Sequence, residues 1–123
     1  KYLGTPYSWG GGTTKGPGKG FGRGANTVGF DCSSFIQFVY AKYGINIPRV
    51  TYDQVKQGKK VGRNGLQAGD AVFFAKSGDV GHVGMYIGNG KFIHAPKTGD
   101  VIKISNLDDP YYSQHFYGGR RYV

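Results

Sequence analysis

An α+β domain is the fold class this sequence predicts, and three observations carry that expectation. Phe35, Ile36, Val39, Tyr40 and Tyr43 recur at three- and four-residue spacing, the period of one buried helix face. Five short segments rich in Val, Ile, Phe and Tyr follow, separated by Gly, Asn and Asp. The helix comes first and the strands afterwards, an order that packs helices on one face of a twisted antiparallel sheet.

In chain order, residues 10–29 read GGGTTKGPGKGFGRGANTVG, with no apolar period, and are expected to form a mobile loop. Its lysines do not make a phosphate-binding loop, because neither Lys15 nor Lys19 is followed by Ser or Thr. Asp31 is a good N-cap for the helix that starts at Cys32, and Gly44 supplies its stop. Ile45–Arg49 is expected to be extended ahead of and around Pro48, and Thr51–Gln57 a short helix capped by Thr51. The predicted strands are Ala71–Ala75, His82–Ile87, Lys91–Ala95, Val101–Ile104 and Arg120–Val123.

The 123 residues suit one domain, 1–123, expected to be a piece of a larger secreted, phage or mobile-element protein because it begins at Lys1. No apolar run approaches the roughly 20 residues of a membrane span. One cysteine excludes an internal disulfide and a cysteine-rich zinc site. The net charge is +9, from 16 basic and 7 acidic residues, with the basic residues scattered and no nucleic-acid motif. That balance points to anionic surroundings, whether nucleic acid, anionic lipid or the anionic polymers of a teichoic-acid-bearing cell wall, without naming one.

The lone thiol sits where chemistry is expected. Positive potential at a helix N-terminus lowers a cysteine pKa, so Cys32 is expected to be an activated nucleophile. A thiol hydrolase also needs a base and a group to orient it, and His82 and His94 lie on adjacent predicted strands. Register decides whether they meet. With a three-residue Gly88-Asn89-Gly90 loop, Ile87 opposes Lys91, His94 opposes Gly84 and His82 becomes the diagonal neighbour of His94 on one face. With an Asn89-Gly90 two-residue turn, the histidines would point to opposite faces. The three-residue loop is therefore expected. His115 is expected to be a surface histidine in a loop. Cys32, His82 and His94 could also supply three zinc ligands, but they lack the close ligand pairs of common zinc motifs, so no metal or other cofactor is expected.

Six segments in order carry a resemblance: Pro6–Gly11 (PYSWGG), Phe30–Phe35 (FDCSSF), Ile47-Pro48-Arg49 with Gln54, Gly69–Phe74 (GDAVFF), Gly81–Gly88 (GHVGMYIG) and Phe92–Ala95 (FIHA). Together they resemble the NlpC family of bacterial cell-wall cysteine peptidases, with Ser34 where that family's motif usually has Gly. The resemblance implies a minimal papain-like fold and hydrolysis of peptidoglycan stem peptides at the γ-D-glutamyl–diamino-acid bond. It implies Cys32 as nucleophile, His82 as general base and acid, and His94 as the residue orienting His82. Tyr7 is expected beside the thiol, binding substrate or the oxyanion, and Asp31 and Ser33 at the stem peptide's free amine. Trp9 is expected in the core or in a groove wall, and Arg49 at a substrate carboxylate. The setting implied is the envelope of a bacterium, with a monomer acting on a stem peptide. An amidase or cross-link endopeptidase using the same residues, and a non-catalytic cationic wall-binding module, are the alternative readings.

Overall fold

The computed structural model describes residues 3–24, 27–76, 79–96 and 100–122. Residues 25 and 26 of the glycine-rich segment and Val123 of the last predicted strand lie outside them. Two short strands, β1 (Gly18–Lys19) and β2 (Val28–Gly29), pair with each other. Helices α1 (Cys32–Lys42) and α2 (Thr51–Gln54) follow. Then come β3 (Lys59–Val61), β4 (Ala71–Lys76), β5 (Asp79–Gly88), β6 (Lys91–His94), β7 (Lys103–Asn106), α3 (Pro110–His115) and β8 (Phe116–Arg121). The last six strands form one antiparallel sheet in the order β3-β8-β4-β5-β6-β7.

Period-two alternation splits the core between the two faces of this sheet. Ala71, Phe73, Val83 and Ala95 pack with Phe30, Phe35, Ile36 and Phe38 from and around α1. Val72, Phe74 and Phe92 face the other way and pack with Leu107, Tyr112 and Phe116. The expected α+β fold, with N-terminal helices packed on an antiparallel sheet, is what the structure shows; the second face is screened by a further helix, not expected from the sequence. The segment expected to be a loop around Tyr111 and Tyr112 is α3, which starts with Asp109 as N-cap and Pro110 in its first turn and screens the second face. α1 ends as expected, with Gly44 at φ +76° bonding back to Ala41. α2 stops at Gln54, and its N-cap is Val50 rather than Thr51.

The glycine-rich segment carries short regular elements among its described residues. Besides β1 and β2 it holds a 3₁₀ turn at Gly22–Gly24 and a bridge between Thr13 and Gly16. Its glycines allow backbone to approach backbone, since a Cβ on Gly20 would collide with the Trp9 carbonyl and one on Gly29 with that of Pro6. Such packing has no apolar period, which is why the sequence reads as a loop.

Candidate active site

Cys32 is the first residue of α1, and a capping network holds that end of the helix. Asp31 Oδ1 accepts from the Ser34 N–H at 2.8 Å, and Ser34 Oγ accepts from the Asp31 N–H at 3.0 Å, a reciprocal box. Ser34 also donates to the Gly11 carbonyl at 2.7 Å, a bond the glycine of the family motif could not make. Arg49 closes the network. It reaches Asp31 Oδ1 and Oδ2 at 3.1 Å each, Ser33 Oγ at 3.1 Å, and the Gly10 and Gly11 carbonyls at 3.3 and 3.2 Å. Arg49, expected at a substrate carboxylate, has its guanidinium bonded to Asp31, Ser33 and the backbone. Asp31 and Ser33 sit together at the rim, with Ser33 donating to Asp31 Oδ1 at 3.2 Å.

The Cys32 sulfur is buried. It lies 3.6 Å from Thr51 Oγ1 and 3.8 Å from the Gly81 carbonyl, which accepts from the thiol. Burial pushes the thiol above its ordinary value and the Asp31 carboxylate adds to that, against hydrogen bonds from Thr51 and from the Val83 and Ser33 N–H groups. The expected depressed pKa is therefore reversed in the resting site. Desolvation outweighs the helix end, whose positive pole already faces Asp31. Tyr7 is buried in the same cluster as Cys32, and Trp9 is 41 % exposed, which sets it outside the core.

The histidines meet, by a different turn from the one expected. Gly88 pairs with Lys91 across a two-residue Asn89-Gly90 turn, with φ of +56° and +73°. That register alone would have set the rings on opposite faces. A bulge at Ile87 inserts one extra residue, so Tyr86 opposes Phe92, Met85 opposes Ile93, and the frame beyond it is the one that brings the rings together. His82 Nε2 and His94 Nδ1 are 2.7 Å apart. Gly84 makes the close approach possible, because a Cβ there would lie 2.7 Å from the Phe92 ring and 3.1 Å from His94 Cβ.

A second diagonal step continues the line. His94 Nε2 is 2.8 Å from Ser105 Oγ on β7, where Lys103 is the residue directly opposite His94. The Tyr112 ring stands edge-on to His94 at 5.3 Å. Burial lowers His82 to about 4, and burial with the charges of His82 and Lys103 lowers His94 to about 3 against an opposing pull from Asp100. Both rings are thus neutral at pH 7. Hydroxyls both donate and accept, so a neutral chain can run either way; the order that frees His82 Nδ1 is His82 Nε2–H to His94 Nδ1 and His94 Nε2–H to Ser105 Oγ. In that order His82 Nδ1 is an unprotonated base, and it has no partner among the described residues.

Cys32 and His82 do not hydrogen-bond to each other. His82 pairs with Phe74 and shares its face of the sheet, whereas α1 covers the opposite face. They approach at a second bulge, where β4 and β5 shift register past Phe74 and Gly81 is the extra residue next to His82. Ser105, Tyr112 and Thr51 were missed as site residues. The diagonal rule that joins the histidines finds Ser105 too, but the strand was expected to end at Ile104. His115 is not a free loop residue either, since its Nδ1 donates to the Ala75 carbonyl at 3.1 Å. Among the described residues no cluster of His, Cys, Asp and Glu could hold a metal ion.

The family model described as the NlpC/P60 family matches residues 4–121. Peptidoglycan endopeptidase RipB of Mycobacterium tuberculosis is 42% identical over 103 residues, covering 84% of this chain and 42% of RipB. Its solved structure superposes with a TM-score of 0.88 at 36% identity, over 99% of this chain and 59% of that one. The gamma-D-glutamyl-L-lysine dipeptidyl-peptidase of Bacillus cereus is 40% identical over 125 residues, covering 99% of this chain and 34% of the enzyme. RipD of M. tuberculosis, described as a non-catalytic NlpC/p60 domain protein adapted to peptidoglycan binding, superposes with a TM-score of 0.86 at 34% identity, over 99% of this chain and 89% of that one. The chain therefore spans less than half the length of these two curated relatives.

Proposed function

We propose that this chain, which belongs to the NlpC/P60 family, is the hydrolytic unit of a bacterial cell-wall thiol peptidase that cleaves peptidoglycan stem peptides. The observation that carries the reading is the His82–His94–Ser105 line, at 2.7 and 2.8 Å, beside the strand edge that touches the Cys32 thiol; the tautomer assigned to His82 has Nδ1 as the base. The bond assigned is γ-D-glutamyl–diamino acid, supported by the name of the Bacillus relative. The site is assigned to the cell envelope, where a charge of +9 draws it to anionic wall polymers.

In the proposed cycle, substrate binding closes the gap between His82 and Cys32, as catalytic hydrogen bonds often tighten only in the complex. His82 Nδ1 takes the thiol proton while sulfur attacks the γ-carbonyl carbon. Backbone N–H groups at the start of α1 stabilise the oxyanion. His82 returns that proton to the nitrogen of the leaving amine as the C–N bond breaks, leaving a thioester on Cys32. Water then gives a proton to His82 and its oxygen to the acyl carbon, the C–S bond breaks, and the thiol regains the proton. His94 orients His82, and Ser105 holds the His94 ring in place. Tyr7, Asp31 and Ser33 are assigned to the acyl side of the groove, and Trp9 to its exposed wall.

A second reading is a wall-binding module without catalysis, favoured by the likeness to RipD. Mass spectrometry of defined peptidoglycan fragments, with the parent chain beside Cys32→Ala, separates the two. A fragment ending in D-glutamate from the parent alone supports the peptidase. Cleavage at another bond replaces the substrate assignment. Retained wall binding with no cleavage by either protein establishes the binding module.

A further inference from the structure

Two pairs of like charges face each other at the edge of the main sheet, where β3 runs beside β8. Lys59 is directly opposite Arg121, and Lys60 is directly opposite Arg120. Like charges so placed repel and cost stability unless an anion offsets them. The first pair is offset within the fold, because Arg121 Nε and Nη2 each reach an oxygen of buried Asp70 at 2.8 Å. The second pair has no such relief: neither Lys60 nor Arg120 has an ion-pair partner among the described residues. The acidic residues of the chain are 7 in number, all Asp, and they are placed elsewhere. Asp31, Asp70, Asp100 and Asp108 are paired with Arg49, Arg121, Lys103 and Arg63. Asp109 caps α3, and Asp79 opposes Lys76 at the far end of β4 from Ala71, the residue opposite Arg120. Asp53 is exposed on α2 and forms no ion pair among the described residues.

Exposed Lys60 and half-buried Arg120 line a groove of about 350 Å³. Residues paired across a ladder share a face. Arg120 opposes Ala71 and Gly118 opposes Phe73, so Lys60, Arg120 and Gly118 lie on the face that carries α1. The helical layer stops short of Gly118, since a Cβ there would meet no atom within 4 Å. Val55, just past α2, lines the groove, while Thr51 at the start of α2 touches the Cys32 thiol. The groove and the thiol thus lie at opposite ends of α2. We propose that this groove is a second binding site, for a phosphodiester group of a polyol-phosphate wall polymer, with Lys60 and Arg120 on its phosphate oxygens. The choice of a wall polymer rests on the hydrolase reading above, which puts the chain at the cell wall. A floor bare of side chain at Gly118 admits a chain as thin as glycerol phosphate. The bound phosphate supplies the anion that the opposed cations lack, and it anchors the domain without occupying the site of cleavage.

The test titrates lipid-free poly(glycerol phosphate) into three proteins: the parent, the double variant Lys60→Gln, Arg120→Gln, and the double variant Lys15→Gln, Lys19→Gln. Both variants lower the net charge from +9 to +7, so they separate a local site from general attraction. Loss of Lys60 and Arg120 should weaken binding roughly fivefold, the size of two partly exposed ion pairs, and loss of Lys15 and Lys19 by less than about twofold. In the parent, the Gly118 and Gly62 amide signals should shift with the polymer. No binding by the parent, or equal weakening in both variants, overturns the proposal. An oligo-dT strand of matched charge and phosphatidylglycerol vesicles are titrated in parallel. Tighter binding of either one through the same two side chains overturns the wall-polymer assignment. Relief of repulsion should keep the melting temperature of Lys60→Gln, Arg120→Gln at or above that of the parent. A lower one gives the pair a structural role and overturns the proposal. Cleavage of a free stem tripeptide should be unchanged in that variant, and a matching loss would place the pair in the active site instead. If no protein cleaves any stem peptide the hydrolase reading fails, and the binding comparison still decides this one.

Discussion

The two sides of the site are built on opposite electrostatic plans. At the start of α1 the polar groups are charged and mutually satisfied: Asp31 is held by Arg49, Ser33 and the Ser34 N–H, and the thiol beside them is buried and kept protonated. Across the sheet the groups are neutral and linked in a line from His82 through His94 to Ser105. The difference teaches where activation arises. A helix end whose positive pole already faces a carboxylate gives less support to a buried thiolate, so in the proposed cycle the proton is drawn off from the imidazole side. In the proposed mechanism the charged network positions the nucleophile, and the histidine line sets the base.

The largest effect that would break this division comes from His82→Gln, which keeps a polar side chain and removes the base. Hydrolysis of a stem peptide should fall about 10³-fold, within the range for loss of a general base. A loss below tenfold would mean that the helix end activates the thiol by itself. Ser105→Ala is the sharper probe, because Ser105 contacts neither substrate nor thiol. Loss of one buried hydrogen bond should lower kcat by about tenfold with little change in KM. Ser105→Thr should restore the rate, which a merely structural defect would not allow.

A smaller effect concerns stability against pH. Burial holds His82 at about 4 and His94 at about 3, against ordinary values of 6.5. The unfolded chain therefore binds more protons than the folded one between those limits, and stability is fully present above about 6.5 and lost as pH falls toward 4. Thermal denaturation of the parent should show the melting temperature dropping across that window. The double variant His82→Gln, His94→Gln should show a flatter acid limb. An equal drop in both proteins would assign the acid sensitivity to other groups.

Much of this arrangement is legible in the sequence because it depends on local rules. The Asp31 cap, the period of α1 and the stop at Gly44 are written in adjacent residues. The meeting of the histidines is legible only in outcome. The even spacing and Gly84 point to the shared face, but a bulge at Ile87 achieves it rather than a longer loop, and a bulge leaves little trace in residue type. The pKa of Cys32 was misjudged because a helix end is visible in sequence and burial by distant segments is not. The short elements of the glycine-rich segment and α3 are illegible for the same reason. Their structure rests on close backbone approach to Pro6 and Trp9, and on docking over Phe74 and Phe92, and neither has a local period.

The central claim is that Cys32 carries the acyl group of the substrate during turnover. Intact-protein mass spectrometry of the chain, quenched in acid while it turns over a stem tetrapeptide, tests it most directly. The account predicts a covalent adduct ending in D-glutamate that maps to Cys32, and its absence in His82→Gln. Efficient cleavage with the Cys32 peptide unmodified at every quench time, and with activity surviving in Cys32→Ala, would contradict it.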